Sequence, residues 1–238
     1  MKLLAIVPAF NEEKAVGEVV REIQVAWPEA DVLVIDDGSR DSTAAAAAAA
    51  GARVVRLPFN LGIGGAVQAG YRVAWDEGYD VAVQIDGDGQ HPPDQLPLLI
   101  DAMAAGAESI VIGTRFQGDG DYQASRARRG AIMFLSWLVS RIVGRSLTDV
   151  TSGFRAADRR AIALFADHYP HDYPEVEAIV MAAREGLRVS EVPVAMRQRS
   201  AGSSSITPLR SGYYMLKVLL ALGVQCLGRR PSRLEPTT

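Results

Sequence analysis

The 238-residue chain holds a single cysteine, Cys226, which excludes a disulfide framework and a Cys-ligated zinc centre and suits a reducing compartment. Its three histidines, His91, His168 and His171, lack the spacing of a histidine metal cage. Apolar runs are short. Ala131–Val143 is broken by Ser136, Ser140 and Arg141, and Met215–Leu227 by Lys217 and Gln225. Neither reaches the roughly 20 residues that a bilayer span requires. Leu3–Val7 is stopped by Pro8 too early for a signal peptide. A cytoplasmic location is expected, peripheral at the cytoplasmic face of a membrane. Internal repeats of about 20–50 residues are also absent.

What is present is a chain that can bury a core. Apolar residues make up 48% and charged residues 22%, which fits one ordinary domain, or a domain with an appended arm. The net charge of −3 conceals an asymmetry. Residues 1–121 hold 8 Lys+Arg against 19 Asp+Glu, whereas residues 122–238 hold 17 against 9. Stretches 122–148 and 197–234 contain no carboxylate at all. Such runs fit ordinary solvated faces or a basic half that meets phosphate, in lipid headgroup or nucleotide. No recognised nucleic-acid module accompanies the charge, so a nucleic-acid partner is not expected.

Short β-branched runs alternate with helical patterns. Leu3–Pro8, Val32–Asp36, Arg53–Leu57, Val81–Asp86 and Ser109–Gly113 read as buried strands. Val16–Ala26, Thr43–Ala50, Gly65–Trp75 and Asp94–Ala105 read as the helices between them. This alternation predicts an α/β fold with a mostly parallel, doubly wound sheet and a site at the strand carboxyl ends. The alanine run 44–50 follows Asp41, Ser42 and Thr43 and predicts a short capped helix packed on the sheet. Beyond residue 113 come a polar loop, an apolar-basic helix, a Thr-Ser-Gly-Phe turn, two helices, the strand Arg188–Val194 and a basic tail.

Three strands end in acidic or polar clusters: Pro8-Ala9-Phe10-Asn11-Glu12, Asp36-Asp37-Gly38-Ser39 and Asp86-Gly87-Asp88-Gly89-Gln90-His91. Like charges gathered in one crevice repel unless a cation or hydrogen-bond donors compensate them. Asp86 and Asp88, separated by a glycine that permits close backbone approach, suit Mg²⁺ or Mn²⁺, with Gln90 as a further oxygen donor. Asp37 is suited to a base N–H edge or a ribose hydroxyl. Gly62-Ile63-Gly64-Gly65 does not follow the first strand, where a dinucleotide fingerprint belongs, and reads as a close-packed turn into the next helix.

In this order the motifs resemble a family. They are Pro8-Ala9-Phe10-Asn11-Glu12, Asp36-Asp37-Gly38-Ser39-x-Asp41-x-Thr43, Asn60-x-Gly62-x-Gly64, Asp86-Gly87-Asp88-Gly89-Gln90-His91, Gly113-Thr114-Arg115-Phe116 and Asp149-x-Thr151-Ser152-Gly153-Phe154-Arg155. The chain is similar to family 2 inverting glycosyltransferases of the GT-A fold, in their dolichyl- or polyprenyl-phosphate mannosyltransferase-like branch. The resemblance implies a catalytic domain over 1–206, with a nucleotide-sugar half (1–115) and an acceptor half (116–206), followed by a helix and basic tail over 207–238.

It further implies that Pro8, Ala9, Phe10, Glu12, Ile35 and Asp37 line the base and ribose of a GDP-mannose or UDP-glucose type donor. Asp86, Gly87 and Asp88 would face the diphosphate, with Asp88 and Gln90 on the metal. Arg115 and Arg199 would meet donor phosphates, and Arg128 or Arg129 the phosphate of a polyprenyl acceptor. Ser205 stands where the family has a lysine, which removes one cation from the expected clamp. Glu177 matches an acidic family position, either a site group or one that orients its helix.

A hydroxyl acceptor needs a general base, whereas a phosphate acceptor is already an anion. The arginines after residue 122 favour phosphate, although Asp149, Glu175 or Glu177 could serve as a base for a glycan hydroxyl. The apolar-basic helix supports a lipid acceptor: Met133, Phe134, Trp137, Leu138 and Ile142 form a broad apolar face, and Arg141 and Arg145 can reach headgroups. Packing on the catalytic domain or on a second copy is the competing use of that helix. A small membrane partner protein or a homodimer is compatible with the chain, as is a non-catalytic nucleotide-sugar-binding subunit.

Overall fold

The computed structural model describes residues 1–106, 108–116, 126–171, 173–197 and 217–224. Seven strands form one sheet: β1 (Leu3–Ala9), β2 (Asp31–Asp36), β3 (Arg53–Arg56), β4 (Val81–Gln84), β5 (Ile110–Thr114), β6 (Arg155–Asp158) and β7 (Val189–Pro193). Their spatial order is β3-β2-β1-β4-β6-β5-β7. Every pairing is parallel except those of β6, which runs antiparallel to both β4 and β5. The sheet is thus mostly parallel, as the strand–helix alternation predicts.

Both faces of the central strands are covered, so their side chains alternate between two cores rather than between core and water. Leu4 and Ile6 of β1 join Leu33 and Ile35 of β2 in one core. Leu3, Ala5 and Val7 join Val32 and Val34 in the other. Helices α1 (Val16–Ala26), α2 (Thr43–Ala49) and α4 (Leu96–Ala105) cover the second core. Helices α3 (Gly62–Asp76), α5 (Arg126–Val143), α6 (Arg159–Asp167) and α7 (Pro174–Arg184) cover the first. Between α3 and α6, Tyr71 lies 5.1 Å from Phe165 and 5.6 Å from Tyr169, ring centroid to centroid. Tilted aromatic pairs of this kind add about 0.5–1.5 kcal/mol each beyond the area they bury.

Strand β6 has no counterpart in the hydrophobic pattern. Arg-Ala-Ala-Asp has no β-branched residue, and its extended form comes from the ladders that β4 and β5 supply on either side. Helix α3 starts at Gly62, three residues earlier than its apolar period indicates. The glycines there are steric: a Cβ on Gly64 would collide with the carbonyl oxygen of Pro170. The alanine helix α2 is anchored by Asp41, whose Oδ1 accepts the Thr43 N–H, while Ser42 makes no side-chain cap. In the C-terminal region 207–238, residues 217–224 are helical, with Val218 and Leu222 buried in the first core.

Candidate active site

The carboxyl ends of β1, β2 and β4 meet at a cleft of about 430 Å³. Backbone hydrogen bonds set their mutual position. The Asp37 N–H donates to the carbonyl of Ala9 at 2.9 Å, and the Gly87 N–H to that of Pro8 at 3.3 Å. Gly87 is needed for that approach, because a Cβ there would lie 3.1 Å from the Pro8 oxygen and 3.3 Å from the Ala9 side chain. Asn11 adopts a left-handed conformation (φ 57°), held by its side-chain oxygen accepting the Arg40 N–H and by its own N–H donating to Ser39. Glu12 is fixed in turn by donation of its N–H to Thr43 Oγ1.

Pro8, Ala9, Phe10, Glu12, Asp37, Asp86, Gly87 and Asp88 all line this cleft. Asn60, Gly62, Ile63 and Ala66, which the three strand-end clusters do not include, complete it. Their signal was available in Asn60-x-Gly62-x-Gly64, which follows the third strand. Phe10 and Ile63 expose apolar surface (44% and 40%), so the pocket offers planar contact as well as charge. Ile35 does not reach the cleft. It is fully buried in the first core, because the alternation of β2 turns it away from the opening.

Asp37 also has a structural task at the rim of the cleft. Its Oδ1 accepts the Leu61 N–H at 2.7 Å and its Oδ2 the Gly62 N–H at 2.9 Å, so it caps α3 from another strand. Burial pushes its carboxyl above the usual range, opposed by those two amides. A carboxylate has about four lone-pair sites, so two remain for a ligand hydroxyl.

The Asp86–His91 loop is similarly tied. His91 Nδ1 accepts the Asp86 N–H at 3.1 Å, and its ring stacks on Phe154 at 5.3 Å. Asp88 Oδ1 accepts the Gln90 N–H at 3.0 Å. Among the described residues no cluster of three or more His, Cys, Asp or Glu forms a complete metal cage. Asp86 and Asp88, two carboxylates one residue apart at a strand end, are hard oxygen donors of the kind that would suit Mg²⁺ or Mn²⁺.

Arg115 is bound elsewhere. Its Nε and Nη2 bond Asp149 at 2.6 and 2.7 Å, and Nη2 also donates to Thr151 at 2.7 Å. Asp149 is fully buried and receives support from β7, where Glu191 Oε1 accepts its N–H at 2.8 Å. Arg115 therefore joins β5 to the Asp149–Thr151 turn, and it does not line the cleft. Its guanidinium carbon also lies 5.9 Å from the ring of Phe116. Arg129 of α5 is exposed and stands 6.0 Å from the same ring. Arg128 precedes it in the same helix, but its side chain, like the whole of Arg199 and Ser205, lies outside the described residues.

Behind the cleft, Arg155 is fully buried and donates to the carbonyls of Glu175 (3.1 Å) and Ser152 (2.5 Å). Burial raises the Glu175 carboxyl, and Arg155 opposes that shift. Glu177 sits half-buried in the first turn of α7. A second groove, of about 360 Å³, lies beside α1 and is walled by the Arg197–Glu22 pair; none of the three strand-end clusters reaches it.

The chain matches the family described as glycosyl transferase family 2 over residues 4–165. It is 37% identical over 216 residues to undecaprenyl-phosphate mannosyltransferase of Micrococcus luteus, covering 87% of this chain and 88% of that protein. Polyprenol monophosphomannose synthase of Mycolicibacterium smegmatis is 31% identical over 227 residues, with coverage of 91% and 85%. Among solved structures, glucosyl-3-phosphoglycerate synthase of Mycobacterium tuberculosis, in complex with Mn²⁺, UDP and glucosyl-3-phosphoglycerate, superposes with a TM-score of 0.72. That comparison covers 94% of this chain and 80% of the other at 22% identity, and shares the fold. With its strand-end carboxylates around one cleft and its sheet of GT-A type, the chain belongs to glycosyl transferase family 2, in the polyprenyl-phosphate mannosyltransferase-like branch.

Proposed function

We propose that the protein is a metal-dependent inverting glycosyltransferase that moves a hexose, of mannose or glucose type, from a nucleoside diphosphate sugar to a polyprenyl phosphate. The observation that carries this reading is the convergence of Pro8–Glu12, Asp37 and Asp86–Asp88 on one cleft. The names of the two mannosyl-transferring relatives support the acceptor and favour mannose. A polyprenyl chain is held in a bilayer, so the enzyme works at a membrane surface, on the cytoplasmic side where nucleotide-sugars are made.

In this reading the base lies against Phe10 and Ile63, and the spare lone pairs of Asp37 accept a ribose hydroxyl. Asp88, with Asp86 and Gln90 beside it, would hold a divalent cation. When bound, Mg²⁺ or Mn²⁺ neutralises charge that develops on the departing diphosphate. Arg129 and Arg128 hold the acceptor phosphate for in-line attack on the anomeric carbon. The new bond forms between that carbon and an acceptor phosphate oxygen as its bond to the donor diphosphate breaks, inverting the centre and releasing nucleoside diphosphate. The nucleophile is an anion at neutral pH, so positioning cations replace a general base. Arg115, locked to Asp149, fixes the end of β5 and the Phe116 ring against which Arg129 stands.

The test is incubation of the purified chain with GDP-mannose or UDP-glucose, Mn²⁺, and either short-chain polyprenyl phosphates or candidate glycans. Lipid-linked product is expected; product with glycans alone overturns the reading. Asp88→Ala is expected to lower kcat/KM by about 10²–10³-fold with the circular dichroism spectrum unchanged, which separates an enzyme from a binding subunit.

A further inference from the structure

We infer that segment 152–155, where β6 begins, is the floor on which the Asp86 carboxylate rests, and that Gly153 and Arg155 are positioning residues for the donor site. The inference deepens the proposed reaction and depends on it for the part that Asp86 plays. Neither residue lines the cleft, so both act on it through Asp86. Gly153 makes the direct contact. A Cβ added there would stand 3.1 and 3.2 Å from the two carboxylate oxygens of Asp86 and 3.0 Å from the side-chain nitrogen of Gln84. At such spacings the neighbours must move to relieve the contact. Gly153 has no positive φ, so glycine is required here by the carboxylate that it faces and not by backbone conformation.

The carboxylate is fixed from two further sides. Gln84 Nε2 donates to Asp86 Oδ1 at 3.4 Å, and His91 Nδ1 lies 3.7 Å from Oδ2. That nitrogen already accepts the Asp86 N–H, so it carries no proton and orients Asp86 without pairing with its charge. The floor itself is pinned on both faces of the sheet. Phe154 turns into the second core, where His91 stacks on it, and its carbonyl accepts the Gly113 N–H of β5 at 2.8 Å. Arg155 stands opposite Gln84 in the antiparallel ladder, so both side chains leave the same face. Its Nη2 reaches back to the Ser152 carbonyl and its Nη1 to the Glu175 carbonyl, which ties the segment to the start of α7. Burying a guanidinium is costly, and an apolar side chain of similar volume would fill the same space. Here the fork holds two carbonyls rather than a carboxylate, which makes it a clamp on backbone position. One segment thus reaches Asp86 twice, through Gly153 to its carboxylate and through Phe154 and His91 to its amide.

The experiment is titration of the full chain with Mn²⁺ in the presence of GDP or UDP and without acceptor, read by electron paramagnetic resonance of the bound ion and by thermal unfolding. Gly153→Ala is expected to raise the apparent Kd about 10–100-fold, the usual loss when a group that orients a metal ligand is disturbed. Its Tm should stay close to that of the wild type, because the side-chain ends of Asp86 and Gln84 can yield. In an Asp86→Ala background the same substitution should change Kd by less than about twofold, since its methyl group then meets no carboxylate. Arg155→Met should weaken binding as Gly153→Ala does, and Arg155→Lys should recover part of the loss, because an ammonium can still donate to the carbonyls. Equal Kd for wild type and Gly153→Ala, an equal loss in the two backgrounds, or a Kd that rises only in proportion to lost folded protein would each overturn the inference. If the wild-type chain binds Mn²⁺ with neither nucleotide, the donor-site reading itself fails, and the inference with it.

Discussion

Both carboxylate oxygens of Asp37 accept backbone N–H groups at the start of α3, so truncation there strands two donors at a partly buried helix end. Asp37→Ala is expected to cost about 2 kcal/mol, read as a lowered urea midpoint, and to raise KM for the donor; Asp37→Asn should recover part of the stability. Glu175 offers a pH-dependent contrast. Burial holds its carboxyl above the usual range, so the folded chain binds that proton more tightly than the unfolded chain. Its ionisation therefore costs stability at neutral pH, and the cost is relieved as pH falls through the folded value toward the ordinary carboxylate range. Glu175→Gln is expected to raise Tm near neutral pH and to lose that advantage in acid; an advantage independent of pH between about 8 and 4 would contradict the assignment. At this scale the identity of Asp86, Asp88, Phe10 and Glu12 as cleft residues was legible in sequence, because each follows a strand whose apolar run is unmistakable. The commitment of Arg115 to Asp149 was not, since its partner lies 34 residues away on another turn.

Helices α3 and α5 show how one residue type plays opposite parts in two elements. Gly64 lets α3 approach the backbone at Pro170 and His171, atoms that cannot yield as a flexible side chain can. Gly64→Ala is expected to cost about 1–3 kcal/mol and to weaken donor binding, since the same turn of α3 carries Ile63 and Ala66 into the cleft. At Gly130, by contrast, an added Cβ would meet nothing within 4 Å, and the residue lies exposed in α5. Gly130→Ala should therefore stabilise by about 0.5–1 kcal/mol, measured as a raised Tm. The periods of α1, α3 and α5 were readable locally, and so was the aromatic content of α5. Which of its apolar residues face water depended on the neighbours: the first core takes Leu138 and Ile142 and leaves Met133, Phe134 and Trp137 outside.

Across the whole molecule, a ligand that binds only the folded chain stabilises it by mass action. At about 100 times its Kd, a nucleoside diphosphate with Mn²⁺ should add about 2.7 kcal/mol and raise Tm by roughly 5–10 °C for a chain of this size. Chelation of the metal should remove most of the shift, and GDP and UDP compared side by side should reveal the preferred base. The same scale gives the charge asymmetry a place. Asp37, Asp86 and Asp88 stand at the cleft in the acidic half, while the carboxylate-free segment 122–148 contributes Arg129 and Arg141 to an exposed helix face.

Apart from β6, local order along the chain was determined by sequence alone: which segments are strands, which are helices, and which carboxylates follow the strand ends. Those features follow from hydrophobic period and from short polar clusters, which act over a few residues. The tertiary structure decided the rest. It inserted β6 antiparallel between β4 and β5, turned Ile35 into the core, gave Asp37 to the α3 amides and Arg115 to Asp149, and separated the buried from the exposed side of α5. Each of these depends on contacts between segments distant in sequence, where a partner's geometry rather than a residue's own propensity selects the outcome.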